Sequence, residues 1–330
     1  MSKPNNCRIL SPTKINLCHC ADLLRRGKVL GIPTETVYGL AGNALCDSTV
    51  RKIFDVKGRP FIDPLIVHFS SISEAVLHAD FNDQAHAIAK QFWPGALTLV
   101  LPKKSSIPDI VTAGLSSVAI RVPEHRIFRR LLELVEFPLA APSANPFGYV
   151  SPTLSMHVKA TLGKRITTVL DGGPCKHGLE STIVDLRNSH EPVILRPGPI
   201  SASTLGFKIA DASNNLSEGN AKAAPGMLTQ HYSPKAKIKL FAHGTNVETS
   251  KLGNAILYNK KPAEKALTAH TYWLSENGDL KEIARNLFML LQKLDKAGYT
   301  RLLVELAQEK DIGIAINDRL VRSAAAKISN

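Results

Sequence analysis

Lys57 and Arg59 flank Gly58 and are followed at once by Pro60, in "DVKGRPFIDPLIVHF". On a continuing helix the two cations would point about 200° apart. A glycine at the helix end and a proline after it stop the helix there, so both can converge on one ligand. Arginine offers phosphate a bidentate fork, and lysine a point charge. The plainer use of the same residues is favourable charge at a helix C-terminus, about 0.3–1 kcal/mol. The pair alone favours that plainer use. A second group lies in "LAAPSANPFGYVSP", where Ser143 and Asn145 follow an apolar strand. Their short side chains donate to phosphate oxygens or cap a helix. Arg121 sits inside the apolar strand "SSVAIRVP" and needs an anion there, from the protein or from a ligand. "GIPTETVYGLAG" runs from a strand into a turn bearing Thr34, Glu35, Thr36 and Tyr38, a usual place for ligand contacts. Ser181 and Thr182 open a strand after glycines, Arg196 ends "ILRPG", and "QHYSP" sets His231 and Tyr232 in a polar stretch.

The elements that must position these residues are short. From 28 to 200 the apolar runs "KVLGIPT", "PLIVHF", "ALTLVLP", "SVAIRVP", "FPLAAPS", "TTVLDGG", "STIVDLR" and "PVILRPG" read as strands covered on both faces. "DSTVRKIFDVKG" reads as a helix capped by Asp47 or Ser48, and "NDQAHAIAKQFWPG" as one capped by Asn82. Several strands follow one another without a helix, so a mixed, partly antiparallel α/β sheet is expected rather than a regular alternation. Residues 211–235 are polar, aperiodic and rich in Asn, Ser, Ala and Gly, the composition of a linker or lid. Beyond them, "GDLKEIARNLFMLLQKLDKAGY" is a strong amphipathic helix with Leu280, Ile283, Leu287, Leu290, Leu291 and Leu294 on one stripe. With its flanking strands it predicts a small three-layer α/β domain. The expected division is 1–210, 211–235 and 236–330.

The totals bound the function. A chain of 330 residues with 44% hydrophobic content builds real cores and suggests two domains. No apolar run approaches the ~18–20 residues of a membrane span, and "MSKPNNCRIL" has no long apolar segment. A cytoplasmic protein without a membrane partner is expected. The net charge of +13 is spread along the chain and suits anionic partners such as nucleotides or RNA. The five cysteines are scattered, and "CHC" at 18–20 lacks the second ligand pair of a zinc site, so no protein-bound metal is expected. There is no GxxxxGK[ST] loop and no GxGxxG after a strand, which excludes the P-loop and dinucleotide fingerprints.

In order along the chain, "PTETVYGL", "KGRP…PLIVHF", "WPGALTLVL", "VAIRVP", "APSAN", "SPT", "DGG" with "EST", and "ILRPG" resemble the YrdC-like threonylcarbamoyl-AMP synthases. "APGMLTQHYSP" and the domain after it resemble the two-domain, Sua-type members. The resemblance implies a YrdC-like twisted, mixed open sheet joined by a long linker to a small Rossmann-like domain. It implies synthesis of threonylcarbamoyl-AMP from L-threonine, bicarbonate and ATP, with release of pyrophosphate and with Mg²⁺ accompanying ATP. The threonylcarbamoyl group then passes, through downstream transferase proteins, to an adenosine in tRNAs reading ANN codons. Contact with tRNA is a further expectation. The family's catalytic motif falls on Lys57, Arg59, Ser143 and Asn145. Its nucleotide contacts fall on Lys57, Arg59, Ser117, Ser143, Ser151, Arg196 and Tyr232. Its threonine contacts fall on Thr34, His68, Arg121, Ala141 and Ser181, with Ser181 or its neighbour Thr182 open to choice. Three departures stand out: Asp63 where asparagine is common, uncharged Leu228 and Gln230 where basic residues are common, and no serine before Gly148. The alternative expectation is an RNA-binding, translation-associated module without adenylate synthesis.

Overall fold

The computed structural model describes residues 7–188, 190–210, 231–245, 247, 253–264 and 267–325. Eleven strands form one mixed sheet. They are β1 (Arg8–Leu10), β2 (Leu30–Ile32), β3 (Gly39–Asn43), β4 (Ile66–His68), β5 (Leu97–Pro102), β6 (Ser117–Arg121), β7 (Leu139–Ala140), β8 (Thr168–Leu170), β9 (Thr182–Asp185), β10 (Val193–Arg196) and β11 (Lys208–Ile209). Their spatial order is β1-β8-β2-β3-β7-β4-β6-β5-β9-β10-β11. The helices between them are α1 (Lys14–Arg25), α2 (Asp47–Lys57), α3 (Ile72–Ala75), α4 (Asp83–Phe92), α5 (Asp109–Thr112), α6 (Arg126–Val135), α7 (Ser155–Leu162) and α8 (Ala202–Leu205). A second sheet contains β12 (Lys237–Phe241), β13 (Asn254–Lys260), β14 (Thr271–Ser275) and β15 (Arg301–Glu305), all parallel, in the order β12-β15-β13-β14. It is accompanied by α9 (Leu280–Lys296) and α10 (Ile312–Ala324). Most of the expected linker, 211–230, lies outside the described residues, as do Leu228 and Gln230.

Register decides what each face of the large sheet carries. Ile66 lies opposite Ala119 and His68 opposite Arg121. Val100 lies opposite both Ala119 and Asp185. Because side chains alternate, Ser117, Ala119 and Arg121 share one face with Ile66, His68, Thr98, Val100 and Ile183. The other face sends Val67, Leu99, Leu101, Val118, Ile120 and Val184 into the main core, beneath Val50, Ile53 and Phe54 of α2. Each such side chain contributes about 1.5–3 kcal/mol of burial. That core leaves the first face free to build a site.

Helix ends set the approach of the key loops. α2 begins at Asp47 after Cys46, which makes no side-chain cap, one residue before the earlier of the two expected positions. It ends at Gly58 with φ +63°, the left-handed conformation that favours glycine. α4 is capped as expected, with Asn82 Oδ1 accepting from Ala85 N at 2.8 Å. β3, "GLAGN", was not anticipated as a strand, since glycine disfavours strands. Packing explains it: a Cβ on Gly42 would meet Thr49 Cγ2 at 2.7 Å.

The two sheets are joined through one apolar cluster. Val37, Val150, Leu179 and Tyr232 pack with Ile283, Leu287, Phe288 and Leu291 of α9 and with Ile316 and Leu320 of α10. Gly178, at φ +74°, lies so close that an added Cβ would sit 2.5 Å from Arg285 Cα. The C-terminal helices therefore press on the loops that carry Thr34, Ser151 and Ser181. Among the described residues no helix is long and apolar enough to cross a membrane.

Candidate active site

The end of α2 turns both claw residues inward. Lys57 is buried, and its Nζ donates to the carbonyl oxygens of Ser143 and of Asn145, the latter at 2.7 Å. It thus pins the 143–145 segment against the helix end. Burial and the neighbouring Arg59 push its pKa well below the usual lysine value, with Asp63 and Glu180 pulling the other way. Arg59 donates through Nε to Asp63 O at 2.9 Å and through Nη2 to Pro64 O at 2.7 Å. Its Nη2 also pairs with Asp63 Oδ2 at 2.9 Å. This explains Asp63. Instead of opposing phosphate, its carboxylate orients the arginine four residues before it. Asn145 Nδ2 holds Tyr149 O at 2.7 Å and so closes the 145–149 turn.

Arg121, at the end of β6, is bonded on three sides. Nε donates to Gly95 O at 3.0 Å, Nη1 to Thr36 Oγ1 at 3.1 Å, and Nη2 to the Glu35 carboxylate. The anion that the apolar strand demanded is thus a protein carboxylate. Burial raises the Glu35 pKa, but the charge and hydrogen bond of Arg121 outweigh it and hold the carboxyl at about 2. Thr34 Oγ1 donates to Val37 O at 2.6 Å and accepts from Val37 N at 3.1 Å, which shapes the loop after β2. His68, opposite Arg121, lies 5.2 Å from the Phe128 ring of α6. Burial and then Arg121 push its pKa down to about 3, so the imidazole is neutral. Ser181 Oγ is 2.8 Å from Thr98 Oγ1, and its carbonyl accepts from Nε and Nη2 of Arg196, each at 3.1 Å. Thr182 Oγ1 instead donates to Ile200 O at 2.8 Å, so Ser181 is the one that faces the site.

These groups surround one cleft with about 540 Å³ of space, its open mouth included. Thr34, Arg59, His68, Arg121, Ala141, Ser143, Ser181, Arg196 and Tyr232 line it. Lys57, Asn145 and Ser151 stand behind its wall. Ser151 donates to Glu180 Oε1 and its carbonyl accepts from Gln292 Nε2 at 2.9 Å, so the C-terminal helix α9 fixes it. Ser117 lies at the opposite end of β6, beside a separate hollow near Asp185 and Arg187. It shares the face of Arg121 and stands about 13 Å along the strand from it. Between them lies an apolar strip of Ile66, Val100, Ala119, Ile183 and Leu195.

Comparison with known proteins bears on this arrangement. Residues 22–198 match the Sua5/YciO/YrdC family model, which carries the description "Telomere recombination". Residues 193–325 match the model of the threonylcarbamoyl-AMP synthase C-terminal domain. The threonylcarbamoyl-AMP synthase of Pyrococcus abyssi is 39% identical, over 93% of this chain and 94% of its own. That of Bacillus subtilis is 35% identical, over 97% and 96%. The chain belongs to the threonylcarbamoyl-AMP synthase family. A crystal structure of Pyrococcus abyssi Sua5 complexed with L-threonine superposes with a TM-score of 0.85, at 35% identity, over 96% of this chain and 97% of that one. Escherichia coli YciO shares the fold of the larger unit at 20% identity and a TM-score of 0.52, over 58% of this chain.

In this member of the threonylcarbamoyl-AMP synthase family, three site-shaping residues escaped the sequence reading. Glu35 was seen only as part of a polar loop. Glu180 lines the cleft. Arg319 of α10 reaches it from the C-terminal unit, with Nε 2.9 Å from Glu180 Oε2. Nothing in the helix sequence "INDRLVRSAAA" ties Arg319 to the site, because its burial appears only in the fold.

Proposed function

We propose that this protein makes threonylcarbamoyl-AMP and pyrophosphate from L-threonine, bicarbonate and ATP, the first step of threonylcarbamoyl-adenosine formation in tRNA. The observation that carries the reading is the lining of one cleft. Arg121, Thr34 and His68 make one part of it and Arg59, Ser143 and Arg196 another, which we read as its two ends, with Ser181, bonded to Arg196, between them. Threonine fits the first end: Arg121 meets its carboxylate, and Glu35 keeps that guanidinium in place. The nucleotide phosphates fit the second end, and the base side of the nucleotide runs along the apolar strip toward Ser117. Ser143 and Asn145 present their segment to the phosphates because Lys57 holds its carbonyls from behind.

The chemistry follows from that placement. Threonine's neutral amine attacks the bicarbonate carbon, the C–OH bond breaks, and the hydroxyl leaves as water with a proton from the amine. The resulting N-carboxythreonine attacks the α-phosphorus through its carbamate oxygen. The bond to the bridging oxygen breaks, and pyrophosphate leaves with its electron pair. The protein's part is positioning and prearranged positive charge, which act on a transferring phosphoryl group without a covalent protein intermediate. Glu35 and Asp63, each bound to an arginine, do not offer free metal ligands. Mg²⁺ therefore belongs to this reading as the counter-ion of substrate ATP, held by the phosphates. Exclusion of water protects the labile carbamate. Passage of the product to downstream transferases, contact with tRNA and a cytoplasmic location belong to the same proposal.

The test is pyrophosphate release from MgATP with the full chain. Release that requires both L-threonine and bicarbonate is expected. Equal release without threonine would overturn the reading.

A further inference from the structure

Arg319 is the largest fully buried side chain among the described residues. It belongs to α10, outside the sheet that carries the site, yet its guanidinium is spent on the cleft. Nε binds Glu180 Oε2 at 2.9 Å, Nη2 donates to Pro197 O at 3.0 Å, and Nη1 pairs with Asp318. The guanidinium carbon lies 5.3 Å from the centre of the Tyr232 ring, which also stacks on Phe288 with ring centres 5.4 Å apart. Glu180 and Tyr232 both line the cleft. Glu180 Oε1 also accepts the hydroxyl of Ser151. One residue of the C-terminal helix thus touches two walls of the site and, through Glu180, a third segment.

The charges make this arrangement consequential. A cleft that takes a polyanion contains a carboxylate in its wall. Glu180 is close enough to bias Lys57 and Arg196 electrostatically. Left alone, it would repel phosphate or draw those cations away from it. A buried carboxylate without a partner is also costly in itself. Arg319 supplies the counter-charge from behind, on the side away from the cleft.

We infer that Arg319 is a positioning residue of the adenylation site: by holding the Glu180 carboxylate and the Tyr232 ring, it keeps the nucleotide end of the cleft open to phosphate. The C-terminal unit thereby completes the electrostatics of a site built on the other sheet. This rests on the reading of the cleft as an ATP site.

The experiment is a charge-compensation cycle on the full chain, with Arg319→Met, Glu180→Gln and the double variant. Binding of α,β-methylene-ATP is measured by calorimetry, and KM for ATP and for threonine by pyrophosphate release. Arg319→Met is expected to weaken analogue binding and raise KM for ATP by about tenfold, the order expected for loss of one close charge partner. KM for threonine changes by less than about threefold. Adding Glu180→Gln to Arg319→Met removes the stranded charge and returns analogue binding to within about threefold of the parent chain. A role limited to docking the two units predicts no rescue. A double variant as weak as Arg319→Met, or an Arg319→Met that binds normally, overturns the inference. Should Arg319→Met fail to fold, Arg319→Lys decides. It keeps the charge, and analogue binding within about threefold of the parent supports the inference, whereas a tenfold loss overturns it. A parent chain without threonine-dependent pyrophosphate release would sink the functional reading instead, and the two failures are told apart.

Discussion

Two buried arginine–glutamate pairs border the same cleft, and they are built differently. Arg121 and Glu35 both belong to the large sheet and its loops, and the pair borders the end proposed for threonine. Arg319 and Glu180 are 139 residues apart, link the two units, and border the end proposed for the nucleotide. The first pair is internal to one folding unit, so it persists whenever that sheet forms. The second exists only when the C-terminal helices dock on the 178–181 loop. One end of the site is therefore made by local folding and the other by assembly.

The sharpest way to break this contrast is Arg121→Ala. It strands Glu35, buried on all sides, and is expected to cost about 3–5 kcal/mol of stability, read from denaturant unfolding, together with threonine binding. A variant with parental stability would mean that the first pair is no more internal than the second. Lys57→Ala comes next. It removes a cation near the phosphates and frees two buried carbonyls. Turnover should fall about 10²–10³-fold, and stability by about 1–3 kcal/mol. Full turnover would break the division of the cleft into two ends.

Acid separates the pairs further. Glu35 is held at about 2, below its ordinary 4.5, so it contributes stability above the ordinary value and loses it as pH falls toward 2. His68, held at about 3 against an ordinary 6.5, stays neutral in the fold while the unfolded chain takes up a proton. Both act in the same direction. Stability should decline from about pH 6.5 downward, as thermal melts across pH would show. His68→Asn should flatten the upper part of that decline. The smallest effect is expected from Tyr232→Phe. It keeps the stack on Phe288 and the contact with Arg319, so stability should change by less than about 0.5 kcal/mol in the same melts. Any loss of ATP affinity in that variant then reports the hydroxyl itself.

How much of this was legible tracks the same contrast. Lys57, Arg59, Ser143 and Arg121 stood out because cations or hydroxyls at strand and helix ends break an apolar pattern. Their gathering in space was not readable from spacing, because it depends on the strand order β7-β4-β6-β5-β9. Asp63 looked like a fault in a phosphate site until the fold of the loop paired it with Arg59. β3 was hidden because its glycines answer to packing against Thr49 and Ala141, which no propensity records. Ser117 fell at the far end of its strand, since a motif gives residue identity and order but not depth along a face. Arg319 could not be connected to the site at all, because its partner arrives from a separate sheet.

The face of β6 has one more consequence. With Arg121 at one end and Ser117 at the other, the strand acts as a ruler of fixed length, about 13 Å. On the proposed reading, with the carboxylate at Arg121, the carbamate stands at a fixed distance along this ruler, because carboxylate and amine share one Cα in every α-amino acid. The strand therefore sets where the reacting oxygen lies but cannot tell one amino acid from another. That choice is left to the groups that would surround the side chain.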